Sequence, residues 1–304
     1  MRSNPLRWLI IAGAIHVALT IAIFLAGHFQ LLPGFFDTNG IGMTFAIDGT
    51  SYRRLASEMA LQWQNYGFSP WLDIKSPLHA RLYSIPFTLF GRVLGHNVLA
   101  VEPLNLFYYL GTLTVVYLLG REMFNERAGF LAAAIVGLWP TFLFHSTQFI
   151  RDPLAILCFL TLLLVLTLLL NRELVWKQAL LFGPGGAVLV TVFWLTRGNM
   201  WNAVVVAVAI ATLFLVYRMI LERKFMTGNA IVLVMIIVAM LFVPSRLEST
   251  TLGGYRSPAT PLAIPSASQP APSEGVWTRV IDQIRNRRGG FRSYTAQESN
   301  IGAD

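Results

Sequence analysis

Leu82-Tyr-Ser-Ile-Pro86-Phe-Thr-Leu-Phe-Gly91-Arg92-Val-Leu94 is the stretch on which the fold turns. It is apolar, yet shorter than the ~20 residues that cross a bilayer, and it is broken by a proline, a glycine and an arginine. Segments of this kind lie at the interface or re-enter the membrane more often than they span it. Whether it crosses decides the side on which every later loop falls.

Charge counting answers the question. The clear apolar runs are Trp8–Ala26, Val98–Gly120, Ala128–Thr147, Pro153–Leu170, Gln178–Leu195, Met200–Tyr217 and Ala230–Val243. If 82–94 stays on the outer side, Arg2, Arg7, Arg121, Arg127, Arg172, Lys177, Arg218, Arg223 and Lys224 all face the cytoplasm, and the short outer turns keep only Arg151 and Arg197. If it crosses, that bias inverts. Basic residues favour cytoplasmic loops, so the sequence predicts seven spans with the N-terminus inside. A long external loop, about 28–97, then carries surface helices over 51–64 and 82–94.

Composition agrees. Of 304 residues, 55% are hydrophobic and 12% charged, where a soluble domain has about a quarter charged. The class is an all-α polytopic membrane protein; continuous rather than alternating runs speak against a β-barrel. The net charge of +8 sits at the ends of apolar runs, where topology demands it, and implies no nucleic-acid partner. Trp8–Ala26 reads as a first span rather than a cleaved signal: it is long, no small-x-small site follows, and more spans come after. The single Cys158 allows no intrachain disulfide.

The external loop is the only long polar interval of the first 245 residues. In it, Tyr52, Leu55, Ala56, Met59, Ala60 and Trp63 recur at helical spacing. Arg53, Arg54, Ser57, Glu58 and Gln62 take the opposite face, with Arg54 and Glu58 placed to pair. Such a helix lies on the membrane, and Thr50 or Ser51 suits its cap. Trp63, Tyr66, Phe68, Trp71 and Tyr83 read as an interfacial aromatic belt. Beyond 245 the chain changes character. Residues 246–275 are a Pro/Ser-rich linker, and 276–304 a basic external tail. The layout is thus a transmembrane module over 1–245, the linker and the tail.

Candidate chemistry gathers on the outer side: Asp48, Lys75, Arg81, Arg151, Asp152 and Arg197. Each has a plain structural use. Asp48 suits a helix cap, Lys75 and Arg81 suit snorkelling, and Arg151 and Asp152 can neutralise one another. Their functional use is a general base, Asp48, facing cations able to hold a phosphate. No HExxH, CxxC, Walker-type glycine loop or D-x-D pair occurs, so no metal or cofactor is demanded.

The arrangement resembles a family. Asp48-Gly-Thr-Ser-Tyr52 followed by Leu55-Ala56, then Lys75-Ser-Pro77-Leu78-His79, then Val116-Tyr-Leu-Leu-Gly-Arg121 with Arg127-Ala-Gly129, then Pro140 with Arg151-Asp152-Pro-Leu154, occur in the order seen in GT-C glycosyltransferases. The group resembled is that of the protein O-mannosyltransferases and lipid A aminoarabinose transferases. The resemblance spans roughly residues 6–200, with Ser76 and His79 departing from the usual proline and aromatic. It implies a plasma (inner) membrane enzyme that takes a sugar from a polyprenyl-phosphate donor, among membrane lipids, to an acceptor that is a lipid, glycan or protein. Asp48 would be the catalytic base. Lys75, Arg151 and Asp152 would build the donor-phosphate site, with Tyr52, His79, Arg81 and Arg197 completing the substrate-binding set. Such proteins continue with further spans, so a chain shortened at its C-terminus is expected. Two other readings stand beside this one: a transporter or flippase of a lipid-linked or anionic substrate, and a non-catalytic membrane scaffold partner.

Overall fold

The computed structural model describes residues 5–31, 35–36, 42–43, 47–73 and 76–247. Lys75, the 246–275 linker beyond Leu247 and the 276–304 tail lie outside the described residues. All described regular structure is helical apart from an isolated antiparallel bridge between Phe36 and Met43. The helices are α1 (Pro5–His28), α2 (Ile47–Tyr66), α3 (Phe68–Asp73), α4 (Leu78–Leu94), α5 (Val98–Met123) and α6 (Glu126–Leu138). They continue with α7 (Pro140–Ser146), α8 (Asp152–Asn171), α9 (Trp176–Arg197), α10 (Trp201–Leu221) and α11 (Thr227–Arg246).

Five helical stretches are long and apolar enough to cross a membrane: Leu6–His28, Val98–Met123, Asp152–Asn171, Trp176–Leu221 and Thr227–Arg246. The pair α6 and α7 passes the same test only when the two are taken together, and they are bent by 66° at the break. The predicted span Ala128–Thr147 is therefore not straight. Pro140 cannot donate to the helix before it, and it holds Trp139 in extended backbone (φ −67°, ψ 115°). The 46-residue stretch Trp176–Leu221 holds two helices, α9 and α10. One straight helix of that length would run about 69 Å, more than twice the hydrocarbon core. It breaks at a 3₁₀ turn, Gly198–Met200. Arg197 reaches Asp152 at the start of α8, whereas Arg218 donates to Leu170 O near its end, so α9 and α10 run across and back. With five candidate spans among the described residues, or six with the bent pair, the chain is a multi-pass membrane protein.

Contacts along the helices give the bundle two ends. Thr20 meets Glu102, and Ala12 packs with Tyr109 and Leu113, so α1 runs antiparallel to α5. One end gathers the starts of α5, α8 and α10 with the finish of α9. The other gathers Arg121, Arg172, Arg218 and Lys224, where Arg172 pairs with Glu122 and Lys224 with Glu173. The chain leaves α1 and enters α5 at the same end, and α4 is not among the spanning helices. The short apolar stretch therefore stays on one side, starting at Leu78 rather than Leu82.

In lipid, helices associate by close packing more than by burial of apolar area. α5 and α6 meet at two glycines, where a Cβ on Gly129 would lie 2.4 Å from Tyr117 O and 2.8 Å from Arg121 N. At the other end α2 and α4 form a lid over α5. Ala56, Ala60, Tyr83, Phe87, Val98 and Phe149 make one buried cluster there, with α2 and α4 packed face to face. The face expected to be apolar on α2 is buried from Tyr52 to Ala60, and Arg54 pairs with Glu58 at 3.1 Å on the exposed side. α2 starts at Ile47, earlier than expected. Thr50 and Ser51 are therefore inside the helix and do not cap it. The aromatics do not form a uniform belt either. Trp63, Phe68 and Trp71 cluster together and Tyr66 is exposed, but Trp71 and Tyr83 are buried.

Candidate functional site

Asp48 lies in the first turn of α2 and is exposed; Tyr52, one turn further, is buried. That spacing places both on one face of the helix. The ring of Tyr52 meets His79 edge to face at 4.1 Å, and His79 is itself only 2% exposed at the start of α4. Neither finds a hydrogen-bond partner among the described residues: the Tyr52 hydroxyl and both ring nitrogens of His79 are buried and unmatched. Arg151 Nη1 is buried in the same condition. Buried polar groups are normally satisfied by protein, water or ligand, so this cluster is the candidate site.

Electrostatics tie these groups together. Burial pushes the Tyr52 hydroxyl up to about 12; Arg151 and Arg197 pull against that rise, and Asp48 adds to it. Burial, then the charges of Arg151 and Arg197, hold His79 down to about 3. At neutral pH the site thus offers a protonated phenol and a neutral imidazole, beside Arg151, Arg197 and the exposed Asp48. Groups 145 residues or more apart in sequence, Asp48 and Tyr52 with Arg197, act on one another across the lid.

Arg151 and Asp152 do not neutralise one another as their adjacency suggests. Asp152 opens α8, with Pro153 in its first turn, and pairs with Arg197 from the end of α9. Arg151 stands just before α8 and is left to face the site. Arg81 carries its guanidinium over the ring of Trp71, 5.5 Å from its centre, on the α3 side of the lid. The structure therefore brings together Asp48, Tyr52, His79, Arg151 and Arg197, with Asp152 behind Arg197. Among the described residues no three His, Cys, Asp or Glu side chains gather to hold a metal ion.

Other residues hold the turn before Arg151, and the sequence reading missed them. Gln148 Oε1 accepts from Met43 N at 2.8 Å, tying the segment between α1 and α2 to that turn. Gly42 beside it has φ +119°, and a Cβ there would fall 2.0 Å from Gln148 Oε1, so only glycine fits. The Tyr83 hydroxyl donates to Ile150 O at 2.8 Å. The polar run His145-Ser146-Thr147-Gln148, at the end of a candidate span, was the available signal.

An apolar groove of about 460 Å³ opens beside the Asp152–Arg197 pair. Trp139, Phe142, Ile156, Phe159 and Phe193 line it, with His145 at its rim. It joins a charged end to a hydrocarbon wall between α7, α8 and α9.

Residues 104–261, just over half of the chain, match the family described as oligosaccharyl transferase STT3, N-terminal. The chain belongs to the STT3 family. It is therefore a GT-C membrane glycosyltransferase, the class that moves sugar from a lipid-linked donor. The loop and span motifs pointed to the GT-C class through the O-mannosyltransferase and aminoarabinose transferase group; the family that matches is STT3. Arg151, Asp152 and Arg197 fall within the STT3 match, and Asp48, Tyr52 and His79 precede it. Neither curated proteins nor solved structures yield a match.

Proposed function

We propose that this STT3-family chain transfers a sugar from a polyprenyl-phosphate donor to an acceptor at the outer face of the plasma (inner) membrane, with inversion. The observation that carries the reading is the set of buried polar groups without partners among the described residues, on Tyr52, His79 and Arg151, beside Arg197, which also lines an apolar groove. A phosphate would lie against Arg151, Arg197 and the Tyr52 hydroxyl, with Lys75 as a further cation, and the prenyl tail along the groove. The basic residues at the opposite end support its cytoplasmic placement, which turns the site outward.

In this reading Asp48 takes a proton from the acceptor hydroxyl or amine. The freed lone pair attacks the anomeric carbon opposite the phosphate. The bond to phosphate oxygen breaks through an oxocarbenium-like transition state, and polyprenyl phosphate departs carrying the negative charge. Fixed cations aimed at that charge contribute a few kcal/mol, about 10²–10³ in rate for one well-placed donor.

The test supplies purified protein in lipid with a mixed set of polyprenyl-phosphate sugars and an acceptor mixture. The wild type should release polyprenyl phosphate, and Asp48→Asn should be about 10²–10⁴ slower while binding donor normally. Equal turnover by both would remove Asp48 from the mechanism. Absence of donor binding in both would favour transport or scaffolding.

A further inference from the structure

His16 and Glu102 are ionisable groups inside two spans, α1 and α5, and the transfer chemistry above uses neither. Such groups are costly in a membrane interior and carry function by default. His16 is fully buried and Glu102 is 7% exposed. His16 Nδ1 lies 2.8 Å from Glu102 Oε1, and Nε2 lies 2.9 Å from Ser146 Oγ. Thr20 Oγ1 donates to Glu102 Oε2 at 2.7 Å, and the ring of Tyr109 stacks on His16 at 4.5 Å. The order Ser–His–Glu is that of a nucleophile with its base and orienting acid. Here, however, Ser146 is fully buried and its hydroxyl already donates to Leu143 O at 2.9 Å.

That donation sets the protons. Ser146 Oγ must accept from Nε2–H, so the short contact between Nδ1 and Oε1 holds one further proton. The couple is neutral as a unit, whichever partner carries that proton, and this makes it tolerable in the bundle.

Ser146 is the last residue of α7, the short helix bent away from α6. After it come Thr147, Gln148, Phe149 and Ile150, all buried, and then Arg151. The far end of this turn is held by Tyr83, whose hydroxyl donates to Ile150 O, with Asn105 alongside at 3.3 Å. Glu102 and Asn105 are one turn apart on α5, so a single helix face holds the turn at its start and its finish. We propose that His16 and Glu102 are positioning residues for Arg151, acting through Ser146 and the buried turn. The proposal rests on the reading of Arg151 as a donor-phosphate ligand.

The experiment measures polyprenyl-phosphate release by His16→Ala, Ser146→Ala and Glu102→Gln, each alone and combined with Arg151→Ala, with thermal unfolding followed in parallel. Displacing a catalytic cation by an ångström costs about 10²-fold, so His16→Ala should lose about 10- to 100-fold. Glu102→Gln should stay within about threefold of wild type, because its amide N–H can donate to Nδ1 and restore the neutral chain. In the Arg151→Ala background His16→Ala should add less than about twofold, since a residue acting through another costs nothing once that other is gone. A loss that multiplies in full onto Arg151→Ala would overturn the positioning role and leave the donor site standing. A wild-type rate for Arg151→Ala would overturn the donor-site reading and the positioning role with it. Should His16→Ala fail to fold, Ser146→Ala, which deletes one hydroxyl, is scored by the same two comparisons.

Discussion

Tyr52→Phe separates a ligand group from a structural one. The hydroxyl is buried and has no partner among the described residues. A buried polar group left unmatched costs about 1–3 kcal/mol, so removing it without changing the ring should leave the fold as stable as before or more so. The phenol titrates only at about 12, so it remains a donor throughout the working range. In the proposed complex it donates to a phosphate oxygen. A hydrogen bond to a charged group contributes about 1.5–3 kcal/mol, which is about 10- to 150-fold in binding or turnover. The assay pairs donor turnover with thermal unfolding in the same lipid or detergent. The expected result is a melting temperature equal to or above wild type with turnover reduced by that factor. A lower melting temperature with unchanged turnover would refute the reasoning, because the hydroxyl would then be holding the fold.

Three further outcomes are expected. His79 is held at about 3 when folded but titrates near 6.5 when unfolded. Below about 6.5 the unfolded chain binds a proton that the folded chain refuses, so acid destabilises the protein by about 1.4 kcal/mol per pH unit down to about 3; His79→Phe should blunt the fall in melting temperature between pH 7.5 and 5, and an unchanged fall would count against the buried neutral imidazole. Gly129→Ala should cost about 1–3 kcal/mol, because the atoms its Cβ meets, Tyr117 O and Arg121 N, are backbone and cannot move aside; an unaltered melting temperature would contradict the close α5–α6 crossing. In a Cys158→Ala background, a cysteine at 48 should react with an impermeant thiol reagent from outside while cysteines at 125 and 222 should not; labelling at 125 would invert the proposed orientation.

Much of the architecture was legible in the chain. The parity argument that kept 82–94 on one side needed only the positions of nine arginines and lysines, and α4 lies on the end from which α5 departs. The bend within Ala128–Thr147 was signalled by Pro140 but passed over, because a continuous apolar run hides a change of direction. Asp48, Tyr52, His79, Arg151 and Arg197 were each nameable from the sequence as candidate site residues. Their meeting was not, and adjacency misled at Arg151-Asp152, where the acid turns to Arg197 instead. Glu102, an acid inside an apolar run, was not singled out: its partner His16 lies 86 residues away on α1, and Ser146, the other partner of His16, is on α7.

By itself the sequence determined that this is a helical membrane protein and which of its segments are long and apolar enough to cross. Transfer of a segment into lipid depends on its own length and hydropathy, and those properties are local and additive along the chain. Only the tertiary structure decided which polar residues form a site, that Asp152 serves Arg197, that Arg151 is left facing inward, and that a buried neutral couple in α1 and α5 holds its turn. Those outcomes depend on side chains from separate helices coming within about 3 Å of one another, a condition that packing of the whole bundle sets and no single segment contains.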